Sequence, residues 1–385
     1  MCIVFWHTGG EKEPYSLVVC SNRDEFLARP TSSVAWHNWS TSSPSDEPTA
    51  QNRVLSGLDL TAGGTWFGVS LPPPPTQGAQ PLPARPALRF ATLTNFTETI
   101  PPGDRPSRGN LTREFLDLDL NPSLDASHPP PAAPETTSLE EYLAAVESVK
   151  HEYAGFNLLV GEVNPSSSSP SPVRLAYISN RESPHKRARV LDPSSDACRR
   201  EGKSVRGLSN ATLEVEEGDE EWPKVKSGAA AVEEAVKECK LGVKTGRDAE
   251  DALVKGLYDA LSTPHPSPIT HRSHLRHTVL VRPLCLDPTA PLPAIAPPLP
   301  PASSFTTSSI ASSNAGDPSA LPDVLKREGE DGLRWYGTRV QTVLLVGRDG
   351  TVVVRERVAY VLSPEGDDRG RPRWSGEERR FEFSI

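Results

Sequence analysis

The chain has 385 residues, a formal charge of −9 at neutral pH, 36% hydrophobic residues and 40 prolines, the last about twice average usage. The acidic balance argues against a nucleic-acid binder, which carries a basic face, and Lys186-Arg187-Ala188-Arg189 reads as a short solvated loop. No segment reaches the roughly 20 apolar residues of a membrane-spanning helix. The start, Met1-Cys2-Ile3-Val4-Phe5-Trp6-His7, lacks the basic region of a signal or transit peptide.

Proline is concentrated in blocks, so one domain over 1–385 is expected, with low-complexity insertions near 72–86, 122–137, 164–172 and 287–331. Five scattered cysteines (Cys2, Cys20, Cys198, Cys239, Cys285) have no zinc-ligand spacing. They fit a reducing compartment, and a Cys2–Cys20 disulfide is not expected.

In chain order, Cys2 to His7 and Tyr15 to Ser21 read as strands around a Gly9-Gly10 turn, the second buried on both faces and handing over to a polar loop, Asn22-Arg23-Asp24-Glu25-Phe26. Strands follow at Thr65 to Ser70 and Leu88 to Asn95. Asn110 is placed to cap a helix over Leu111 to Leu118. Ser138-Leu139-Glu140-Glu141 opens a capping-box helix running to about Tyr153. Phe156 to Val163 and Val173 to Ser179 form a hairpin, and Val205 to Asn210 a further strand. Helices are expected over Lys224 to Lys240 and Arg247 to Leu261, then a strand over His277 to Pro283. Asp287 to Asp331 is too polar and proline-rich to order itself. Tyr336 to Val346 and Thr351 to Tyr360 close a hairpin at Arg348-Asp349-Gly350. Short strands with two groups of helices predict an α+β fold with antiparallel sheets.

Position 2 carries the most chemistry. With Met1 removed, Cys2 holds a thiol and a free α-amine whose ordinary pKa, about 7.7–8.0, suits a base near neutrality. The protonated amine in turn enriches the thiolate. A plain buried strand residue is the alternative. Should the first two strands pair, Asp24 lies beside Cys2, able to hold the α-ammonium, with Arg23 able to orient the thiolate or a substrate carboxylate. The alternative there is a polar loop with local ion pairs. Asn95 and Asn210 follow apolar strands and are oxyanion-hole candidates, or ordinary turn residues.

Nine strings in order, Met1-Cys2-Ile3, Ser21-Asn22-Arg23-Asp24-Glu25-Phe26, Gly63-Gly64-Thr65-Trp66-Phe67-Gly68, Thr94-Asn95-Phe96, Ser107-Arg108-Gly109, Phe156-Asn157-Leu158-Leu159-Val160-Gly161, Gly207-Leu208-Ser209-Asn210, Trp222-Pro223-Lys224-Val225 and Tyr336-Gly337-Thr338-Arg339, resemble the NRDE family from Met1 to about Tyr360. The resemblance implies an αββα four-layer sandwich of two mainly antiparallel sheets, similar to N-terminal-nucleophile amidases. It implies Cys2 as nucleophile, Asp24 as the amine's partner, and Asn95 and Asn210 as the oxyanion pair; Arg23, next to Asp24, and Arg339, in the last string, are taken as substrate-binding candidates. The amidases carry an arginine three residues before that aspartate, where this chain has Ser21.

Members are associated with Golgi organisation, protein secretion, haem trafficking and acyl-CoA or lipid metabolism. The resemblance therefore implies either a cysteine amidohydrolase acting on a non-peptide amide, or a non-catalytic carrier of haem, acyl-CoA or lipid in the same cleft. A structural factor of the secretory pathway, acting through the insertions, is a third reading. No resident cofactor is required. Haem, if handled, is cargo, because no Cys-Pro or CxxCH motif is present and His7 and His37 read as surface residues. The expected location is cytoplasmic, with mitochondrial or Golgi association left open.

Overall fold

Ile3 and Phe5 belong to one apolar cluster and Val4 and Trp6 to another, so the first strand is buried on both faces. Period-two alternation then requires a layer on each side of it. The computed structural model describes residues 2–39, 44–49, 51–72, 86–96, 105–117, 138–165, 172–182, 187–191, 204–214, 221–241, 246–269, 272–285, 335–364 and 370–385.

The strands are β1 (Ile3–Thr8), β2 (Tyr15–Phe26), β3 (Ala35–His37), β4 (Val54–Ser56), β5 (Phe67–Ser70), β6 (Leu88–Asn95), β7 (Phe156–Val163), β8 (Val173–Ser179), β9 (Arg189–Leu191), β10 (Val205–Leu208), β11 (Leu284–Cys285), β12 (Trp335–Gly347), β13 (Thr351–Val358), β14 (Tyr360–Leu362), β15 (Pro372–Trp374) and β16 (Glu378–Ser384). The helices are α1 (Gly109–Leu116), α2 (Leu139–Val149), α3 (Pro223–Leu241) and α4 (Gly246–Leu261).

One seven-stranded sheet runs β10-β1-β2-β12-β13-β16 with β11 on β12, and the other runs β3 through β9 in chain order. Every ladder is antiparallel. Val4, Leu17, Val19 and Leu344 of the first sheet meet Phe90, Leu159 and Tyr177 of the second. On its other face the first sheet packs Phe5, Val18 and Cys20 against Val232 of α3 and Leu257 of α4. The second sheet packs Leu158 and Ile178 against Phe115 of α1 and Leu143 of α2. The result is the αββα order of layers.

Several elements follow the sequence closely. β6, β7 and β8 have the expected bounds. Ser138 and Glu141 form the reciprocal capping box at the start of α2. The β12–β13 hairpin turns at Gly350, whose φ of +84° suits a glycine.

Others differ. The polar stretch Asn22 to Phe26 is strand, not loop, because pairing with β12 continues to Phe26 after β1 ends opposite Asn22. Asn110 does not cap α1. Its backbone N–H already bonds Ser107 O at 3.0 Å, Arg108 holds the cap position with helical angles, and Leu118 lies outside the described residues. α2 stops at Val149, and Lys150–Glu152 tightens into a 3-10 turn before Tyr153. The segment 277–283 is not a strand. Val279 and Leu280 both donate to Thr263 O, Leu280 makes an isolated bridge with Pro264, and Val281 exchanges bonds with Thr338, so scattered long-range bonds replace a ladder. Asn210 falls beyond β10, while β14 to β16 extend the fold past Tyr360. Most of the insertions, including 287–331, lie outside the described residues.

Candidate functional site

The β1–β2 register pairs Ile3 with Asn22, which carries Cys2 one step past the ladder, opposite Arg23. Cys2 is half-buried. Its carbonyl accepts a hydrogen bond from Ser209 Oγ at 2.8 Å, and its thiol points at the Asp24 carbonyl, 3.8 Å away. Burial pushes the thiol pKa up. The positive amino terminus pulls it back, the Asp24 carboxylate raises it again, and the Arg23 guanidinium lowers it. Cys2, Cys20, Cys239 and Cys285 are free thiols.

Asp24 is buried, and its Oδ1 accepts from Thr338 Oγ1 at 2.6 Å. Its carbonyl accepts from Tyr336 OH at 3.3 Å, and burial beside Asp24 and Cys2 holds that phenol well above its ordinary range. Alternation sends Asp24 to the helix side of the sheet with Cys20 and Asn22, and Arg23 to the side facing the second sheet.

Lys224 completes this group. Pro223 opens α3, its missing N–H being unneeded there, and Lys224 follows with no solvent exposure. Burial pushes its pKa down to about 8, against the opposing pull of Asp24 and Cys2. Within the string Trp222-Pro223-Lys224-Val225, nothing in the sequence alone gives the lysine a role. The legible signal was a lysine between Trp222 and Val225 at the start of an apolar helix face. Asn22, by contrast, is a brace: its Nδ2 donates to Leu261 O and Val279 O at 2.8 and 3.0 Å, and its Oδ1 accepts from Gln341.

The two predicted oxyanion asparagines are joined to Cys2 through Ser209. Ser209 Oγ also lies 3.0 Å from Asn210 Oδ1, and Asn210 Nδ2 donates to the Asn95 carbonyl. Thr94 Oγ1 donates to Ser209 O at 2.6 Å, and Asn157 Nδ2 reaches Ser209 O at 3.0 Å and Ala211 O at 2.9 Å. Tyr177 OH fixes Asn157 Oδ1 at 2.8 Å. This polar seam binds the loop after β10 to the second sheet. Asn210 Nδ2 spends one of its two hydrogens there, whereas the Asn95 side chain is half-buried and makes no hydrogen bond among the described residues. Thr94, Asn157 and Ser209 are structural partners that sequence reasoning did not single out.

Arg23 is buried, and its guanidinium lies 3.8 Å from the centre of the Trp66 ring. Asp59 Oδ2 lies 3.7 Å from Arg23 and 2.8 Å from Arg29. Arg339 is the extra residue of a bulge between Thr338 and Val340, the kind of irregularity that re-aims a side chain. Its Nη1 donates to the Arg29 carbonyl. Burial, with Arg23 next, pushes its pKa down to about 10.

Residues 1–361 match the family described as Transport and Golgi organisation 2. The chain belongs to that family. The mouse Transport and Golgi organization 2 homolog is 26% identical, covering 100% of this chain and 99% of its own. The bovine homolog is 28% identical over 93% and 92%, and the Drosophila melanogaster Transport and Golgi organization protein 2 is 26% identical over 47% and 51%.

In this Transport and Golgi organisation 2 family member, His7 and His37 are not surface residues. Both are buried. His7 spends both ring nitrogens, one on Ser204 O at 3.0 Å and one on Glu13 at 2.6 Å. His37 bonds Ser56 Oγ at 2.8 Å, and burial pushes its pKa down to about 4. Among the described residues, no group of three or more His, Cys, Asp or Glu could hold a metal ion, and no helix is long and apolar enough to cross a membrane. A small, partly open pocket beside α3, lined by His7, Tyr15, Val236 and Cys239, lies at the opposite end of β1 from Cys2.

Proposed function

We propose that this chain is a cysteine amidohydrolase of the N-terminal-nucleophile type, acting on a small non-peptide amide and serving the Golgi and secretory role that its relatives' names carry. The observation supporting this is the convergence on Cys2 of Asp24, Arg23 and the buried Lys224, with Ser209 linking the same residue to Asn95 and Asn210.

With Met1 removed, the α-amine takes the thiol proton and Asp24 holds the resulting ammonium. The sulfur attacks the amide carbon, and the carbonyl electrons move onto oxygen. The Asn95 amide and the remaining N–H of Asn210 are the donors available to that oxyanion. The carbon–nitrogen bond then breaks, the amine leaves with the proton from the ammonium, and water releases the acid from the thioester. Lys224 provides a second amine near the thiol, whose positive charge favours the thiolate at neutral pH.

A second reading rests on the upward shift of the Cys2 thiol. A thiol that keeps its proton is a weak nucleophile, which suits a carrier of an acyl-CoA, lipid or haem ligand using the same site. The experiment that separates the two is hydrolysis of a panel of chromogenic N-acyl amides by wild type and by Cys2→Ala. The amidohydrolase predicts turnover that falls by at least about a thousandfold in the variant. Turnover that survives Cys2→Ala, or its absence across the panel in wild type, contradicts it.

A further inference from the structure

We infer that the ligand entering at Cys2 bears a carboxylate, held by the guanidinium groups of Arg23 and Arg339 beside the ring of Trp66. The inference rests on the reading that Cys2 is the point of ligand attack or attachment, and adds to it the chemical class of the ligand.

Three arginines, Arg23, Arg29 and Arg339, lie within each other's electrostatic reach. Asp59 pairs with Arg23 and Arg29, and Glu25 acts on all three without an ion pair to any among the described residues. Glu356 faces Arg23 as well, but it donates little charge: its Oε1 accepts from Val34 N at 3.1 Å, and burial holds its proton up to about 7. Asp59 and Glu25 are shared among the three guanidinium groups, and Arg379 also acts on Glu356, so the cluster presents cationic donors to an incoming anion. Arg339 makes its bond to a backbone carbonyl rather than a carboxylate, so its planar donor fork keeps capacity for a carboxylate.

The placement fits a short ligand. Extending the β1–β2 ladder by one residue sets Cys2 opposite Arg23, and opposed side chains on adjacent strands have Cβ atoms about 4.5–5.5 Å apart. The Cys2 thiol and the Arg23 guanidinium act on each other's charge, so an acid group near the carbon under attack falls within the field of that guanidinium. Trp66 holds it from the other side, stacked at 3.8 Å. The bulge at Arg339 re-aims a second guanidinium, which bonds the Arg29 carbonyl and lies within electrostatic reach of Arg23.

The test compares alkylation of Cys2 by iodoacetate and by iodoacetamide, reagents of similar shape that differ by one charge, in the full-length protein with the modified cysteine read by peptide mass spectrometry. The iodoacetate-to-iodoacetamide rate ratio at Cys2 is expected to exceed that of N-acetylcysteine by about tenfold, equivalent to one charge-assisted contact. Arg339→Gln should lower the iodoacetate rate more than the iodoacetamide rate. Sodium acetate should slow iodoacetamide in wild type in a saturable manner, a measurement that needs no variant to fold. Protection by inorganic phosphate but not by acetate overturns the carboxylate assignment. A ratio equal to that of N-acetylcysteine overturns the anion subsite while leaving Cys2 as the reactive thiol. A Cys2 inert to both reagents overturns the site reading and this inference together.

Discussion

Lys224 is a buried amine within electrostatic reach of Asp24 and Cys2. An amine with no solvent exposure, pushed to about 8 from an ordinary 10.5, carries its charge at a cost below that pH. The folded state releases the proton between 10.5 and about 8 while the unfolded chain still binds it. Stability contributed by this group is therefore present above 10.5 and lost as pH falls through about 8. Lys224→Met removes that dependence. Urea midpoints at pH 7.5 and 10 should show wild type gaining on the variant at the higher pH, by on the order of 2–3 kcal/mol. An equal gap at both values contradicts the assignment. Cys2, Asp24, Asn95 and Asn210 were singled out because each stands in a distinctive string. Lys224, Ser209 and Asn157 were not, because their importance lies in what burial and distant partners do to them.

Elements were legible where hydrophobic period and capping chemistry agreed. The β7–β8 hairpin and the Ser138 capping box are examples. Four polar residues after Ser21 look like a loop, yet pairing with β12 accommodates Asn22, Arg23 and Asp24 once each finds a partner. β16 was missed despite the alternation of Phe381 and Phe383 with charged neighbours, since its ion pairs to α4, Arg380 with Glu250 among them, are distant in sequence. Backbone proximity is equally invisible in one dimension. A Cβ on Gly64 would meet the carbonyl carbon of Gly109 at 2.4 Å, so two separate glycine strings mark one contact, from which the chain proceeds to Trp66 over Arg23. Gly64→Ala should cost about 1–3 kcal/mol, read as a lower urea midpoint. An unchanged midpoint would mean the loop shifts without consequence.

At the scale of the molecule, two antiparallel sheets with a helical layer outside each were foreseeable from the element pattern and the NRDE resemblance together. The order of strands was not, because β10 joins β1, and β12 joins β2, across the long insertions. That arrangement is what puts the N-terminal cysteine between strands drawn from three distant parts of the chain, with Asn210 after β10, Asp24 in β2 and Arg339 in β12. In the proposed reading, function depends on chemistry at one terminus held by the whole fold. The most direct measurement is acylation of the purified protein by p-nitrophenyl acetate, with intact mass and peptide mapping, in wild type and in a form that retains Met1. The account predicts a single acetyl group on Cys2 of the processed chain and its loss when the α-amine is blocked. Acetyl groups spread over the other cysteines, or labelling of Cys2 indifferent to Met1, would contradict it.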